Sequence, residues 1–540
     1  MGVHLLSTSS YFFSLFAGNV PWILGLFLCV LLAVPFVRWF RVWKALRPLP
    51  GPWDTVPFWF LFDNLRAMVR KHRANKYRTA WIFSTCCTLW KQYPNQIFKF
   101  YLGMTPVVMV HTPDAVEALL TSTVNHNKPF LYHFVAPWLG PDNLLRTGEP
   151  WRFKRKLLTP AFHFRVLDNY LRIFNENGDL LVRHICSLVD EAPNEPIRLF
   201  KITQKCAMDI IGEVTMGAKL QLQENKNLFF MKSFNRAMFL ISLRFATPWF
   251  WIQKIYEISR QEKMFTADLR KMRELTYSVM RKRKEMLQST ELIPKSGSEE
   301  EEFNSGGETT LMNRLLQKHI QDSSYTLSDV RNDIDTIIAA GNDTTTTCMC
   351  WTLHYLGLYF EVQAKVHQEL DEVFGNDRDG EITASHLVQL KYLECCLKEA
   401  LRLYPSFPMI GRVLDEELKM EGHVIPKGVM CYIAIYSLHR NPRYFQDPEK
   451  FMPERFLSDE IRTRHPFSYI PFSGGSKNCI GQKFAMLEMK LLMAKVLREC
   501  RIVSSEPLEN LDVAYEVIVK DIGGNKVWVQ RRTEIHSPER

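Results

Sequence analysis

Residues Ser328 to Phe360 read as one uninterrupted helix, and that length constrains everything else in the chain. At 1.5 Å per residue such a helix runs about 50 Å, enough to cross a whole domain. The remaining elements have to pack against it. Ser328 is a suitable N-cap. The midpoint is unusual. Ala339-Ala340-Gly341-Asn342-Asp343-Thr344-Thr345-Thr346-Thr347 puts glycine and β-branched residues, all weak helix formers, at the centre. A central helix with its poorest formers halfway along implies a functional distortion there.

Helical periodicity also covers Asp168 to Val189, Leu199 to Met216, Ser259 to Gln288, Lys391 to Leu403 and Lys483 to Leu497. Short strands are expected at Ile97–Leu102, Val107–His111, Glu417–Met420, His423–Ile425 and Cys431–Ala434. Tyr515–Val519 and Lys526–Gln530 flank Gly523-Gly524-Asn525, a hairpin signal. The chain is therefore mainly α with small β-sheets. With 540 residues, 46% of them hydrophobic and 23% charged, it can bury a large core. The net charge of +10 is spread without dense basic tracts. That disfavours nucleic acid as a partner and favours a membrane surface or an acidic protein. Twelve cysteines lie scattered without zinc-ligand spacing, which fits free thiols in a reducing compartment.

Tyr11 to Val37 contains no charged side chain, while Arg38, Arg41, Lys44 and Arg47 follow at once. Roughly 20 apolar residues span a bilayer, and flanking cations stay on the cytosolic side. Residues 1–47 are accordingly expected to be a single-pass membrane anchor with a basic stop-transfer segment. A cleaved signal peptide is the competing reading, but it lacks a basic n-region. Pro48-Leu-Pro50-Gly51-Pro52 then reads as a rigid hinge, or a plain linker, before a catalytic domain over residues 48–540. Met238 to Trp251 concentrates aromatics around Pro248, which fits either a second membrane contact or a buried helix end. Ser296 to Thr310 reads as a solvated loop.

Near the C-terminus, Phe472-Ser-Gly474-Gly475-Ser-Lys477-Asn-Cys479-Ile-Gly481 sets one cysteine among three glycines ahead of a helix. Glycines let backbone approach a ligand closely, and haem iron accepts such a thiolate. A buried structural cysteine fits the same residues. Glu399 and Arg402 lie at i, i+3 on one helix face, and Pro453-Glu454-Arg455-Phe456 supplies a second arginine. Trp151 and Arg155, at i, i+4, pair an indole donor with a guanidinium, which suits anionic carboxylates and equally fits a helix packing edge.

Together these patterns resemble the haem-thiolate monooxygenases, the cytochrome P-450 superfamily. Phe472, Gly475, Cys479 and Gly481 match its cysteine loop; Ala340-Gly341-Asn342-Asp343-Thr344-Thr345 matches its central-helix pattern; Glu399, Arg402 and Arg455 complete the set in the family's order. Pro137-Trp-Leu-Gly140, Leu158-Thr-Pro-Ala-Phe-His-Phe164, Thr215-Met-Gly217, Leu327-Ser328-Asp329 and Cys479-Ile-Gly-Gln-Lys-Phe-Ala485 are similar to the microsomal branch of fatty-acid ω-hydroxylases, the fourth family.

The resemblance implies a P-450 fold carrying haem b, with Cys479 as the proximal iron ligand. It makes Trp151, Arg155, Arg412 and Lys477 candidates for the haem propionates, with Lys477 standing where the family usually has arginine. Asp343 and Thr344 would relay protons on the distal side, the Thr344 hydroxyl bonding the Ala340 carbonyl. Glu399, Arg402 and Arg455 read as a fold-fixing charge network. Many ω-hydroxylases carry a glutamate where this chain has Ala340, so an ester link to haem is not expected here. Substrate-lining candidates fall in Phe130–Pro137, Met238–Phe245, Asp335–Thr344, Ser406–Ile410 and Val517–Ile522.

The implied activity inserts one oxygen atom of O2 into a lipophilic substrate, a fatty acid or related lipid. Electrons would come from NADPH through a separate cytochrome reductase, with cytochrome b5 a second candidate donor, and Lys154, Lys156 and Lys483 are candidate docking cations. The implied location is the endoplasmic reticulum membrane, catalytic domain in the cytosol. Two other readings remain open: a reductase-independent isomerase or dehydratase of lipid hydroperoxides, and a non-enzymatic haem or lipid binder.

Overall fold

A capping box starts the central helix two residues before the expected position. The Thr326 hydroxyl accepts from the Asp329 N–H at 3.2 Å, and the Asp329 carboxylate accepts from the Thr326 N–H at 2.8 Å. The computed structural model describes residues 33–52, 78–289 and 310–532, apart from 103–104, 142–144, 163, 376, 378–379 and 458–462. Its longer helices are α1 (Arg78–Gln92), α2 (Pro113–Thr121), α3 (Gly148–Leu158), α4 (Phe164–Glu191), α5 (Leu199–Met216), α6 (Leu228–Phe245), α7 (Arg260–Ser289), α8 (Leu311–Gln321), α9 (Leu327–Leu358), α10 (Phe360–Phe374), α11 (Lys391–Leu403) and α12 (Gln482–Glu499).

Helix α9 is the axis of the molecule, packed by α5, α8, α11, α12 and the sheet strand that follows α12. The expected distortion at its midpoint is not a break, since residues 327–358 are continuously α-helical. Two features reconcile the weak formers with a helix. A Cβ on Gly341 would stand 2.8 Å from the Ile211 side chain, so glycine lets α5 approach. The hydroxyls of Thr344, Thr345 and Thr346 donate to the carbonyls of Ala340, Gly341 and Asn342 at 2.8, 2.8 and 2.9 Å. Further along, Trp351 stacks on Tyr404 with centroids 3.8 Å apart.

The strands are β1 (Phe98–Leu102), β2 (Thr105–Val110), β3 (Ile197–Arg198), β4 (Ile410–Val413), β5 (Leu418–Met420), β6 (His423–Ile425), β7 (Met430–Ile433), β8 (Cys500–Ser504), β9 (Val513–Glu516), β10 (Ile518–Asp521) and β11 (Lys526–Arg531). One sheet runs β1-β2-β7-β4, with β1 antiparallel and β7 parallel to β2. The C-terminal hairpin differs from expectation. Val517, at φ +65°, turns β9 onto β10, while β11 leaves that pair to join β8 and β3. The Asp521 carboxylate sets the departure by accepting from the Gly523 and Asn525 N–H groups at 3.1 and 2.7 Å.

The proline-rich hinge is fastened rather than free. Leu46 and Leu49 are buried, and the Lys99 N–H donates to the Pro50 carbonyl at 2.8 Å. Residues 33–46 are helical, but most of the apolar run Tyr11–Val37 lies outside the described residues. Among the described residues no helix is long and apolar enough to cross a membrane. Most of the Ser296–Thr310 loop also lies outside them.

Candidate active site

A cavity of about 1130 Å³ follows one face of α9 and is lined mainly by apolar side chains. The α9 residues Ala339, Ala340, Asp343 and Thr344 and the loop residues Phe472, Lys477 and Cys479 all border it. The loop is closed by the Cys479 N–H, which donates to the Phe472 carbonyl at 2.9 Å. Gly475 has φ +70°, and a Cβ there would come within 2.0 Å of the Leu120 carbonyl oxygen. Only glycine lets the loop lie against α2 in this way. Gly481 is the N-cap of α12. Burial raises the Cys479 thiol pKa, while the Gly481 N–H and the Arg155 charge oppose that rise.

Cys479 keeps an exposed surface, whereas the other described cysteines are half-buried or buried. Cys86 and Cys348 also touch the cavity, but burial pushes both thiols up to about 12. Cys350 faces α5, its sulfur 3.2 Å from the Thr203 hydroxyl.

Four cations gather beside the loop. Arg155 on α3 donates to the Asn478 carbonyl at 2.8 Å and to Asn478 Oδ1 at 2.7 Å. Lys477 donates to the Arg146 carbonyl at 2.6 Å and lies 4.9 Å from the Trp151 ring centroid. Arg412 on β4 is buried and donates to the Gly411 carbonyl at 2.9 Å. Sequence reasoning missed the fourth, Lys128, which no local motif marks. Burial, with Arg412 adding, takes Lys477 down to about 8; burial, then Arg412 and Lys477, takes Lys128 well below the lysine range. Among the described residues none of these four cations makes a salt bridge to a carboxylate.

On α9, Asp343 is buried, and burial raises its pKa. Its Oδ1 accepts from Gln204 Nε2 at 2.7 Å and from Asn342 Nδ2 at 2.9 Å. Behind the cavity, Glu399 and Arg402 are both fully buried and joined at 2.7 and 2.8 Å, with Arg455 at 3.3 Å from Glu399. Arg402 also donates to the carbonyls of His439, Pro448 and Lys450. That arrangement fixes α11 to the chain ahead of the cysteine loop, as a structural network would.

These features meet a direct test by comparison. The Cytochrome P450 family model matches residues 74–522. The chain belongs to the cytochrome P450 family. Cytochrome P450 4V2 of Mus musculus is 36% identical over 448 residues, covering 81% of this chain and 83% of its own. Cytochrome P450 4c3 of Drosophila melanogaster is 33% identical, covering 91% of each chain. Human cytochrome P450 4V2 is 34% identical over 91% of each. The resemblance to the fourth family therefore holds. The crystal structure of the cytochrome P450DA heme domain superposes with a TM-score of 0.70 at 23% identity, covering 83% of this chain and 92% of its own, which shows the P450 fold.

Members of the family are monooxygenases that carry haem on a cysteine thiolate. The residues of this P450 fit that group. A thiol opens onto a large cavity, and four cations without carboxylate partners among the described residues stand beside it, a set that calls for anionic groups from a ligand. Each stretch expected to line the substrate space contributes to the cavity, with Tyr132, Ile241, Ala340, Phe407 and Val517 as examples. Asp335 does not, because it is turned toward Arg331 and Thr276 at 3.1 Å each. The α1 face with Thr85, Leu89 and Trp90 lines it unforeseen.

One docking cation needs correction. Lys154 is buried and bound to Asp333 at 2.8 and 3.0 Å under the Tyr325 ring, so it cannot meet a partner protein. Lys156 and Lys483 are exposed. In the Met238–Trp251 stretch Met238 and Ile241 are buried, as a buried helix end requires, whereas Phe239 and Trp249 are exposed.

Proposed function

We propose that this P450 hydroxylates a fatty acid or related lipid, taking electrons from NADPH through a separate reductase. The observation that supports it most is the apolar cavity bounded at one place by Cys479 and at another by Asp343 and Thr344. Haem bound there would supply the O2-activating iron, and an electron-rich cysteine sulfur would be its protein ligand. In this reading Cys479 is that ligand, and the loop holds it through its own N–H and through Arg155 on Asn478. Trp151, Arg155, Arg412 and Lys477, joined by Lys128, bind the propionates.

Inserting one oxygen atom into a C–H bond and releasing the other as water consumes two electrons and two protons. Asp343 and Thr344 are the cavity groups suited to carry those protons. Thr344 spends its own hydrogen on the Ala340 carbonyl at 2.8 Å, which leaves its oxygen free to accept. Ala340 offers no carboxylate for a haem ester. Lys156 and Lys483 serve as docking cations for an acidic reductase face. Residues 1–47 anchor the enzyme in the endoplasmic reticulum membrane.

The test is the CO-difference spectrum of reduced wild type and Cys479→Ser, followed by a lipid screen with reductase and NADPH. A thiolate-type Soret band lost in the variant, with NADPH-dependent hydroxylation of fatty acids, is expected. The band retained in Cys479→Ser, or turnover confined to non-lipid compounds, overturns the reading.

A further inference from the structure

Three polar side chains on three helices form an unbroken line from the surface to the cavity. Asn235 on α6 is exposed. Asn235 and Gln204 on α5 bond reciprocally, Gln204 Nε2 donating to Asn235 Oδ1 at 2.7 Å and Asn235 Nδ2 donating to Gln204 Oε1 at 3.1 Å. Gln204 is buried and spends its second amide hydrogen on Asp343 Oδ1 at 2.7 Å. Every hydrogen-bonding atom of the Gln204 amide is thereby used. Among the described residues the charged groups that bear on Asp343 are Lys520 and Glu516, which pair with each other at 2.7 Å. The remaining partners, Gln204 and Asn342, are neutral amides.

We propose that Gln204 is the positioning residue for Asp343, and that the Gln204–Asn235 amide pair turns over as a unit to hold it in either protonation state. An ionised Asp343 needs the NH2 end of Gln204. An Asp343 protonated on Oδ1 donates that O–H and needs the carbonyl end. A lone glutamine that rotated would strand its other partner. The reciprocal pair avoids this, because rotating both amides restores both bonds between them and presents Oε1 to Asp343. Asp343 can thus gain and lose a proton at Oδ1 while each oxygen and nitrogen of the two amides keeps a partner; losing one would raise the barrier to each proton transfer. The inference rests on the reading that Asp343 handles protons beside the cavity.

Full-length haem-loaded enzyme is compared with Gln204→Leu, Asn235→Ala and Asp343→Asn. The first readout is an infrared pH titration of the carboxyl band that Asp343→Asn deletes. Gln204→Leu removes a donor to the carboxylate and is expected to move that titration upward by about one pH unit or more. Asn235→Ala, at the exposed end, should move it in the same direction by less. Product formed per NADPH consumed should fall in the same order, with an increased solvent deuterium isotope effect. An unmoved band in both variants overturns the clamp. A shifted band with coupling unchanged in Asp343→Asn itself sinks the proton-handling role and leaves the clamp standing.

Discussion

Arg155 grips Asn478, the residue before Cys479, twice: 2.8 Å to its carbonyl oxygen and 2.7 Å to its Oδ1. Helix α3 is thereby tied to the loop that presents the thiol. Lysine at 155 would keep the charge and lose the two-point geometry. A hydrogen bond from a charged donor contributes about 1.5–3 kcal/mol. Arg155→Ala is expected to lower haem retained per protein and the thermal midpoint, with Arg155→Lys falling between it and wild type. Equal retention in all three would show that the grip is idle.

Two glycines with positive φ separate strain from collision. Gly428 at φ +84° has open space around it, whereas Gly475 at φ +70° faces the Leu120 carbonyl. Gly428→Ala should cost about 1 kcal/mol, the penalty of the left-handed region. Gly475→Ala adds a backbone clash and should yield little folded, haem-loaded protein. Soluble yield and the Soret-to-protein absorbance ratio read the difference.

Arg402→Leu leaves the fully buried Glu399 without its two-point partner and strips three carbonyls of a donor. Breaking a buried pair from one side costs about 3–5 kcal/mol. The urea midpoint should fall accordingly, and a fall no larger than that of an exposed change such as Lys156→Ala would refute the fold-fixing role.

His439 is wholly buried and accepts from the Ile470 N–H at 2.8 Å. Burial, helped by Arg402 and Arg440, lowers its pKa from 6.5 to about 3. The unfolded chain then binds the proton first as pH falls. Stability conferred by the neutral ring is complete above about pH 6.5 and is lost as pH drops toward 3, by up to about 1.4 kcal/mol per pH unit. His354 and His367, each near 4, add slopes over much of the same window. His439→Gln retains an acceptor and should reduce the acid slope of the urea midpoint by about one proton. An unchanged slope would show that His439 does not titrate between the two states.

Elements whose pattern repeats locally were legible. Helices Leu199–Met216 and Lys391–Leu403 keep the bounds the sequence pattern indicates, although the first is buried almost all round, from Cys206 to Met216 without a break. The bond from the Thr344 hydroxyl to the Ala340 carbonyl follows from i, i+4 spacing alone. The N-cap was misplaced because Ser328 and Thr326 are both good caps, and only the reciprocal bond to Asp329 chooses between them. Lys154 resembles a surface cation in sequence, since its partner Asp333 lies 179 residues away.

By itself the sequence determined the central helix, the cysteine loop and the family, since each is written in residues close together along the chain. Tertiary structure decided that β11 leaves the expected hairpin for β8, that Lys128 joins the cation cluster, and that Gln204 meets Asp343. The physical reason is reach. A hydrogen bond or a shared desolvation cost acts over a few ångströms of space, and residues 139 positions apart in the chain come that close only after α5 has packed on α9.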